Sequence, residues 1–262
     1  MSNTAELPLS VSIISFNEAA NIGRTLDSIK PLASEIIVVD SHSTDNTREI
    51  AEKNGANVYA EDWKGHIRQK NSALEKCTQP WILCLDCDEV VSYELREAIV
   101  KAVREGVRPG YRINRRTFYL GKLLQYAWQP DWKLRLVRKD AEPRWAGYDP
   151  HDRLQIAGQS GRLQGDLIHY SYADLSDHMQ RLVTYAETTA TSYHRNGKRF
   201  QWHHLLVNPL VAFIKKYILK RSFLDGSQGF IVSMSSFVYV FLKYLFLWEI
   251  DKKRSESEHV KR

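Results

Sequence analysis

Two aspartates flank a single residue, Asp86-Cys87-Asp88, directly after the apolar run WILCL. Residues two apart in an extended backbone point the same way, so this spacing predicts both carboxylates on one side of a strand end. One or two carboxylates, with diphosphate oxygens and water completing the shell, suit Mg²⁺ or Mn²⁺. The plainer alternative is a solvated turn, where aspartate is common. Cys84 and Cys87 form a Cys-x-x-Cys spacing in the same segment. Residues three apart on a strand face opposite ways, and Cys77 is the only other cysteine, so neither structural zinc nor a dithiol is expected. Cys84 reads as core.

Asp40 closes a second apolar run, EIIVVD. A carboxylate there can accept hydrogen bonds from a nucleobase N–H or a ribose hydroxyl. In the following SHSTDNT, Ser43, Thr44 or Asp45 can cap the next helix without touching a ligand, and capping is the reading for Asp45. Arg135 and Arg138, on either side of apolar Leu136, can face a diphosphate or an acceptor phosphate; a solvated strand edge explains them equally well. The chain contains neither GxGxxG nor GxxxxGK[ST]. A diphosphate would therefore need a metal and basic side chains in place of a glycine cradle.

These residues need elements to position them. Leu9–Phe16, Glu35–Asp40, Ala56–Glu61 and Trp81–Leu85 read as strands; the first carries β-branched residues, the second and fourth are short apolar runs, and the third is weaker. Between them lie helical patterns: Ile22, Leu26, Ile29 and Leu32; Thr44–Asn54, closed by Gly55; and Gly65–Cys77. Ser92 can cap a further helix running to Gly106. Alternation of this kind predicts parallel βαβ units with right-handed crossovers, an α/β fold. Ligands of such sheets bind outside the carboxyl ends of the strands, and Asn17–Glu18, Asp40 and Asp86–Glu89 all fall there. Beyond residue 110 the sequence is basic and Trp-rich, with strand-like RINRRTFYL, KLRLVRK and GDLIHYSY. A helical pattern from about Asp174 to Arg195 follows.

With 262 residues, 43% hydrophobic and 26% charged, the chain can bury a core without disulfides or structural metal, and disordered, coiled-coil and polytopic membrane classes are excluded. Three cysteines indicate a reducing compartment. The opening MSNTAELPLS has no basic stretch before an apolar one, so no secretory signal is expected. The net charge of +6 divides into −5 over residues 1–110 and +11 over the remainder. That asymmetry predicts an anionic partner: a phosphorylated substrate, a membrane surface or nucleic acid.

In order along the chain, SVSIISFNEAANIGRTLDSI, IIVVDSHSTDNT, RQKNSAL and WILCLDCDE resemble the nucleotide-sugar half of a family 2 glycosyltransferase with the GT-A fold. YLGKLL, WQPDWKLRLVRK, HDRL and FLDGSQGF are similar to a bacterial subgroup that adds β-linked glucose to a heptose of the lipopolysaccharide inner core. The resemblance implies a Rossmann-like, mostly parallel central sheet flanked by helices. It implies a donor-binding half over residues 1–110, an acceptor-binding and catalytic half over 111–199, and C-terminal helices over 200–262. It further implies a metal-dependent, inverting transfer of a hexose from a UDP-sugar donor, glucose in that subgroup, to a lipid-linked glycan acceptor. By matching position, Ser15, Phe16, Asn17 and Glu18 would contact the uridine, Asp40 would face the base, and Lys70 would approach the nucleotide. Asp86 would lie at the ribose or metal, and Asp88 would be the principal ligand of Mg²⁺ or Mn²⁺. The general base would be Asp152, beside His151, with Asp131 and Asp149 as competitors. Ser15-Phe16-Asn17-Glu18 departs from the Pro-x-Tyr-Asn-Glu of many relatives, and His42 stands where glycine is frequent.

Residues 230–248 carry one charge, Lys243, and are apolar on nearly every side, so they must be buried in protein or lipid. Nineteen residues would rise about 28 Å, just short of a ~30 Å hydrocarbon core. Ser233, Ser235, Ser236 and Lys243 further weaken a spanning helix. Lys215, Lys216, Lys220 and Arg221 border an apolar face in VAFIKKYILKR, and each can contribute ~1 kcal/mol near anionic headgroups. The expectation is interfacial or re-entrant attachment at the cytoplasmic face of the inner membrane; packing on the catalytic domain or a homo-oligomer contact is the alternative. Two other readings stand beside this one. The enzyme could serve a polyprenyl-phosphate, capsule or exopolysaccharide acceptor, or the chain could be a non-enzymatic basic membrane or nucleic-acid binding module. Lack of an RNA-binding aromatic motif counts against nucleic acid as a partner.

Overall fold

A computed structural model describes residues 7–148 and 151–260. Asp149 lies outside the described residues. The strands are β1 (Leu7–Ser15), β2 (Ala33–Asp40), β3 (Asn57–Ala60), β4 (Trp81–Asp86), β5 (Glu89–Val91), β6 (Gly110–Tyr119), β7 (Lys122–Leu123), β8 (Trp132–Arg138), β9 (Arg144–Tyr148), β10 (His151–Gln155) and β11 (Gly161–His169). The helices are α1 (Ile22–Ile29), α2 (Thr47–Lys53), α3 (His66–Lys76), α4 (Tyr93–Glu105), α5 (Leu175–Arg195), α6 (Trp202–Leu206), α7 (Asn208–Ile214) and α8 (Ser227–Val260). Two compact units result: the first holds the residues up to 116 together with 130–170, the second 117–129 together with those from 171 onward.

The sheet of the first unit has the order β3-β2-β1-β4-β8-β6-β11-β5. Its first four strands are parallel, as their apolar runs and intervening helices predict. Beyond β4 the sheet turns antiparallel, with β8 on β4, β6 on β8 and β5 on β11. Strands β1, β2 and β4 are buried on both faces, and the period of two sorts their side chains. Val38, Leu83 and Leu85 pack with Ile22, Leu26, Ile29, Leu95 and Ile99, from α1 and α4. Ile37, Val39, Ile82 and Cys84 turn to the other side, against Ala73 and Leu74 of α3 and Trp145 of β9. Each fully buried aliphatic side chain contributes roughly 1.5–3 kcal/mol. Ser92 caps α4 by accepting the Leu95 N–H at 3.2 Å, and Gly106 ends it with φ +62°.

Register brings the polar strand ends together. Ser15 lies opposite Asp40, and Ile14 opposite Asp86. Strand β1 thus sits between strands leading away on both sides, the position at which open α/β sheets bind ligands.

In the second unit β7 pairs back on the end of β6, and α8 packs along α5 and α7. Asp225 organises this region: its carboxylate accepts the backbone N–H groups of Gln125, Tyr126 and Ala127 at 2.7–2.9 Å. Gly229 is required by a close approach, because a Cβ there would meet the Ser222 carbonyl oxygen at 1.7 Å. Lys122 donates to the Asp225 carbonyl at 2.8 Å and Gln228 to the Leu120 carbonyl at 3.0 Å, so the segments YLGKLL and FLDGSQGF meet as a structural clamp.

The C-terminal elements differ from expectation in two ways. Among the C-terminal helices expected over 200–262, the stretch around VAFIKKYILKR is interrupted: α6 ends at Leu206, α7 restarts with Pro209 in its first turn, and Lys215–Leu219 widens into a π-helix. Conversely, α8 runs for 34 residues, through much of the charged tail, with Glu249 and Lys253 paired one turn apart. Residues Ser227–Lys253, mean hydropathy 1.8, are long and apolar enough to cross a membrane by length and composition. The nineteen-residue count underestimated this helix. Its serines are also satisfied internally: Ser233, Ser235 and Ser236 donate to carbonyls one turn back, while Lys243 is buried among aromatic rings.

Candidate active site

At the carboxyl ends of the parallel strands, side chains of alternating charge form one chain. Asp152 Oδ2 meets Lys70 Nζ at 2.9 Å, and Lys70 meets Asp86 Oδ1 at 3.0 Å. Arg135 Nη2 lies 2.6 Å from both Asp86 Oδ2 and Glu89 Oε1. Arg115 continues from Glu89, at 3.5 Å, to Asp131, at 2.9 Å, where Lys133 closes the chain. Beneath it the Trp145 ring lies 4.5 Å from Lys70 Nζ and 5.8 Å from the Arg135 guanidinium.

Local structure explains how the carboxylates reach these partners. Asn71 on α3 hydrogen-bonds both backbone groups of Trp145, pinning β9 to the helix that carries Lys70. Strand β10 pairs with β9 so that Asp152 stands opposite Gly147, whose φ is +115°. Asp152 is thereby delivered to Lys70 across 82 residues of sequence.

Burial alone would raise the Asp86 pKa, but Arg135 and Lys70 outweigh it and hold the carboxyl well below its usual range. For Glu89, fully buried, desolvation prevails over Arg135 and the pKa is raised. Asp131 is lowered: burial opposes, and Arg115 and Lys133 overcome it. Desolvation of Lys70 is likewise overcome by Asp86 and Asp152, so its pKa is raised.

The Asp86/Asp88 pair departs from the extended geometry that its spacing predicts. Strand β4 ends at Asp86 and the chain turns at Cys87–Asp88. The two carboxylates consequently have different partners. Asp86 is held by Lys70 and Arg135, whereas Asp88 Oδ2 lies 3.2 Å from His169 Nε2. Pairing of Glu89 with His169 between β5 and β11 sets that contact. Among the described residues no group of three or more His, Cys, Asp or Glu gathers as a metal site. A carboxylate and an imidazole that face one another nevertheless fit a divalent cation whose remaining ligands are diphosphate oxygens and water.

Asp40 is brought to the same edge but is fully buried. It accepts from Ser15 Oγ at 2.8 Å, Ser43 Oγ at 2.5 Å and Ser43 N–H at 2.8 Å, so it ties the β1 and β2 ends together. Asn17 takes φ +53° and accepts the Thr44 N–H; Glu18 donates its N–H to Thr47 Oγ1. Phe16 is exposed. Asp45 accepts the N–H groups of Thr47 and Ala19; the N-cap of α2 is instead Asn46, without a side-chain cap bond, so Asp45 ties the β1 loop to the helix start and does not cap it as expected. His151 contributes its backbone to β10, and its side chain lies outside the described residues.

Arg138 is not brought to the site. It pairs with Asp140 and lies opposite Trp81, at the start of β4 rather than its end. Cys84 and Cys87 fall in separate cores, as their odd spacing predicts, and burial pushes the Cys84 thiol up to about 12. Sequence reasoning placed Glu89 at the strand end, in the acidic run DCDE, but gave it no role. It missed Arg115, Trp145 and His169, which had no signal because strand pairing alone brings them in.

Residues 10–148, more than half of the chain, match glycosyl transferase family 2. The chain belongs to that family. A similar relative is the lipopolysaccharide core biosynthesis glycosyltransferase LpsC of Rhizobium meliloti, 30% identical over 249 residues that cover 90% of each chain. An uncharacterized glycosyltransferase of Rickettsia felis is 30% identical, over 96% of this chain and 92% of its own. Among solved structures, the mannosyltransferase PcManGT of Pyrobaculum calidifontis, in complex with GDP-Man and Mn²⁺, superposes with a TM-score of 0.52 at 14% identity. That match covers 94% of this chain and 88% of the other. This family 2 member is thus a glycosyltransferase with a GT-A fold, and the reading as a binding module without activity is set aside.

Proposed function

We propose that this glycosyltransferase moves glucose from UDP-glucose to a heptose of the lipopolysaccharide inner core, with inversion. The lipopolysaccharide core relative, similar along 90% of both chains, is the observation that carries the acceptor. The donor reading rests on the Ser15–Glu18, Asp40 and Asp86 segments at one sheet edge. Residues 1–110 would bind the donor, 111–199 the acceptor, and 200–262 a membrane or a second copy.

In this reading the exposed Phe16 ring offers the uracil a flat apolar face. Asp40 acts indirectly, by fixing the loop that carries Ser15 and Ser43. Asp88 with His169 would hold Mg²⁺ or Mn²⁺, which when bound supplies positive charge to the departing diphosphate. Asp152 takes the proton of the acceptor hydroxyl as that oxygen attacks the anomeric carbon and the bond to the diphosphate breaks. Its Oδ2 is engaged by Lys70, leaving Oδ1 for the acceptor. Asp131 is the poorer candidate, because Lys133 occupies Oδ1 and Arg115 occupies Oδ2.

The second unit would attach to the anionic cytoplasmic face of the inner membrane. Trp202, Leu206, Leu210, Ile214, Ile218 and Leu219 are exposed, close in sequence to Lys215, Lys216, Lys220 and Arg221.

A radiolabelled-glucose assay with UDP-glucose, with and without Mn²⁺, tests this. Heptose-terminated core lipid should be glucosylated, and chelation should stop the reaction. Labelling of polyprenyl phosphate or a capsule or exopolysaccharide fragment, with core lipid untouched, would move the enzyme to another pathway.

A further inference from the structure

We infer that the second unit contains a phosphate-binding site, separate from the transfer chemistry, built from Lys243, Lys198 and His204 among the tyrosines of α5 and α8. Lys243 is nine-tenths buried in the apolar helix α8. Its Nζ lies 5.0 Å from the Tyr193 ring centre, 5.4 Å from Tyr239 and 4.8 Å from Tyr244. Lys198 shares two of these rings, at 4.4 Å from Tyr193 and 5.4 Å from Tyr244, and donates to the Tyr244 hydroxyl at 3.3 Å. Its place follows from the end of α5: Gly197 takes φ +80°, and the Lys198 N–H returns to the Tyr193 carbonyl.

Two ammonium groups therefore face the same pair of rings, and neither forms an ion pair with a carboxylate among the described residues. The nearby acid, Asp251, is already taken by His194 and the Phe200 N–H, and Glu249 by Lys253. Ring faces attract cations but leave their charge in place, so the two lysines still repel one another. The third side chain is the more telling. His204 stacks on Tyr244 with ring centres 4.7 Å apart, and its buried Nδ1 has no hydrogen-bond partner. Buried polar atoms are ordinarily paired, and an unpaired one calls for an explanation. Burial, His203, Lys198 and Lys243 together hold its pKa down, consistent with one crowded cationic cluster.

The donors of this cluster match an anion with several acceptor oxygens. A phosphate can take hydrogen bonds from both ammonium groups, from an Nδ1–H and from the Tyr244 hydroxyl, whose own hydrogen stays free when its oxygen accepts from Lys198. A single carboxylate has fewer acceptor oxygens for these donors. The phosphate could be a soluble ester or the headgroup of an anionic lipid; the chemistry is the same.

The full-length protein would be titrated with inorganic phosphate and pyrophosphate at constant ionic strength, following the thermal midpoint and ³¹P line broadening. Saturable binding is expected in the wild type, at least tenfold weaker in Lys198→Met and Lys243→Met and largely retained in Lys243→Arg. UDP binding should be equal in all of them. Lys198 lies just past the end of α5, so Lys198→Met and His204→Ala keep the test available if Lys243→Met fails to fold. Binding to phosphatidylglycerol but not phosphatidylcholine vesicles, competed by phosphate, would assign the lipid source. Soluble phosphate binding without vesicle binding would assign a free ester. No saturable binding of either probe, or equal binding by the variants, would overturn the site and leave a cation–aromatic packing cluster.

Discussion

At the strand ends of the first unit, Asp152, Lys70, Asp86, Arg135, Glu89, Arg115 and Asp131 alternate in sign, and each has an oppositely charged neighbour. In the second unit, Lys243 and Lys198 have tyrosine rings where the first unit would have carboxylates. The two arrangements serve different ends. A network closed on itself holds its groups in fixed positions before a substrate arrives, which is what transfer chemistry needs. A cationic cluster without internal partners holds its charge available to something else.

The sharpest way to break this comparison is to separate working carboxylates from structural ones inside the network. Asp152→Asn should lower turnover by ~10²–10⁴-fold with UDP affinity intact, while Asp131→Asn stays within about tenfold of wild type. Steady-state kinetics with calorimetric UDP titrations check this, and the reverse ranking would exchange their roles. Next, Arg135→Met removes the cation that Asp86 and Glu89 share, leaving Asp86 with Lys70 and Glu89 with Arg115 alone. Loss of one partner from a buried ionic cluster costs roughly 3–5 kcal/mol, to be read from urea unfolding. A loss below about 1 kcal/mol would show that the network is not closed in solution.

Glu61 offers a milder test at the edge of the same region, where it binds Lys76, Lys64 and Ser72 of and near α3. The hydrogen bonds from Lys76 and Lys64 lower its pKa from 4.5 to about 2. A lowered folded-state pKa gives stability that is complete above about 4.5 and lost as the pH falls toward 2. Glu61→Gln should flatten the stability profile in that window and leave it parallel to wild type above it. The smallest effect concerns the thiols. With Cys77 and Cys84 both pushed up to about 12 by burial, native protein should resist alkylation at pH 8 and react only when unfolded.

The parallel half of the sheet was legible because buried parallel strands are written as unbroken apolar runs, as in EIIVVD and WILCL. Their ends exposed Asp40 and Asp86, and the family resemblance added Lys70 and Asp152. The antiparallel half was read as strands without an order. Arg115, Glu89 and His169 could not be connected to Asp131, Arg135 and Asp88, since register rather than local pattern brings them together. Arg135 and Arg138 looked alike in sequence, yet they lie three apart on β8, and only Arg135 reaches the site. The length of α8 was hidden because its last turns are held by side-chain pairs such as Glu249–Lys253 rather than by an apolar face.

The central claim of the proposed function is a division of labour at one strand end: Asp86 is held by the chain's own cations, and Asp88 with His169 would take the donor's metal. Mn²⁺ binding in the presence of UDP, followed by paramagnetic resonance on wild type, Asp88→Ala and His169→Ala, tests it most directly. The account predicts UDP-dependent Mn²⁺ uptake by the wild type, abolished in Asp88→Ala and weakened about 10- to 100-fold in His169→Ala. Undiminished uptake by Asp88→Ala would contradict it.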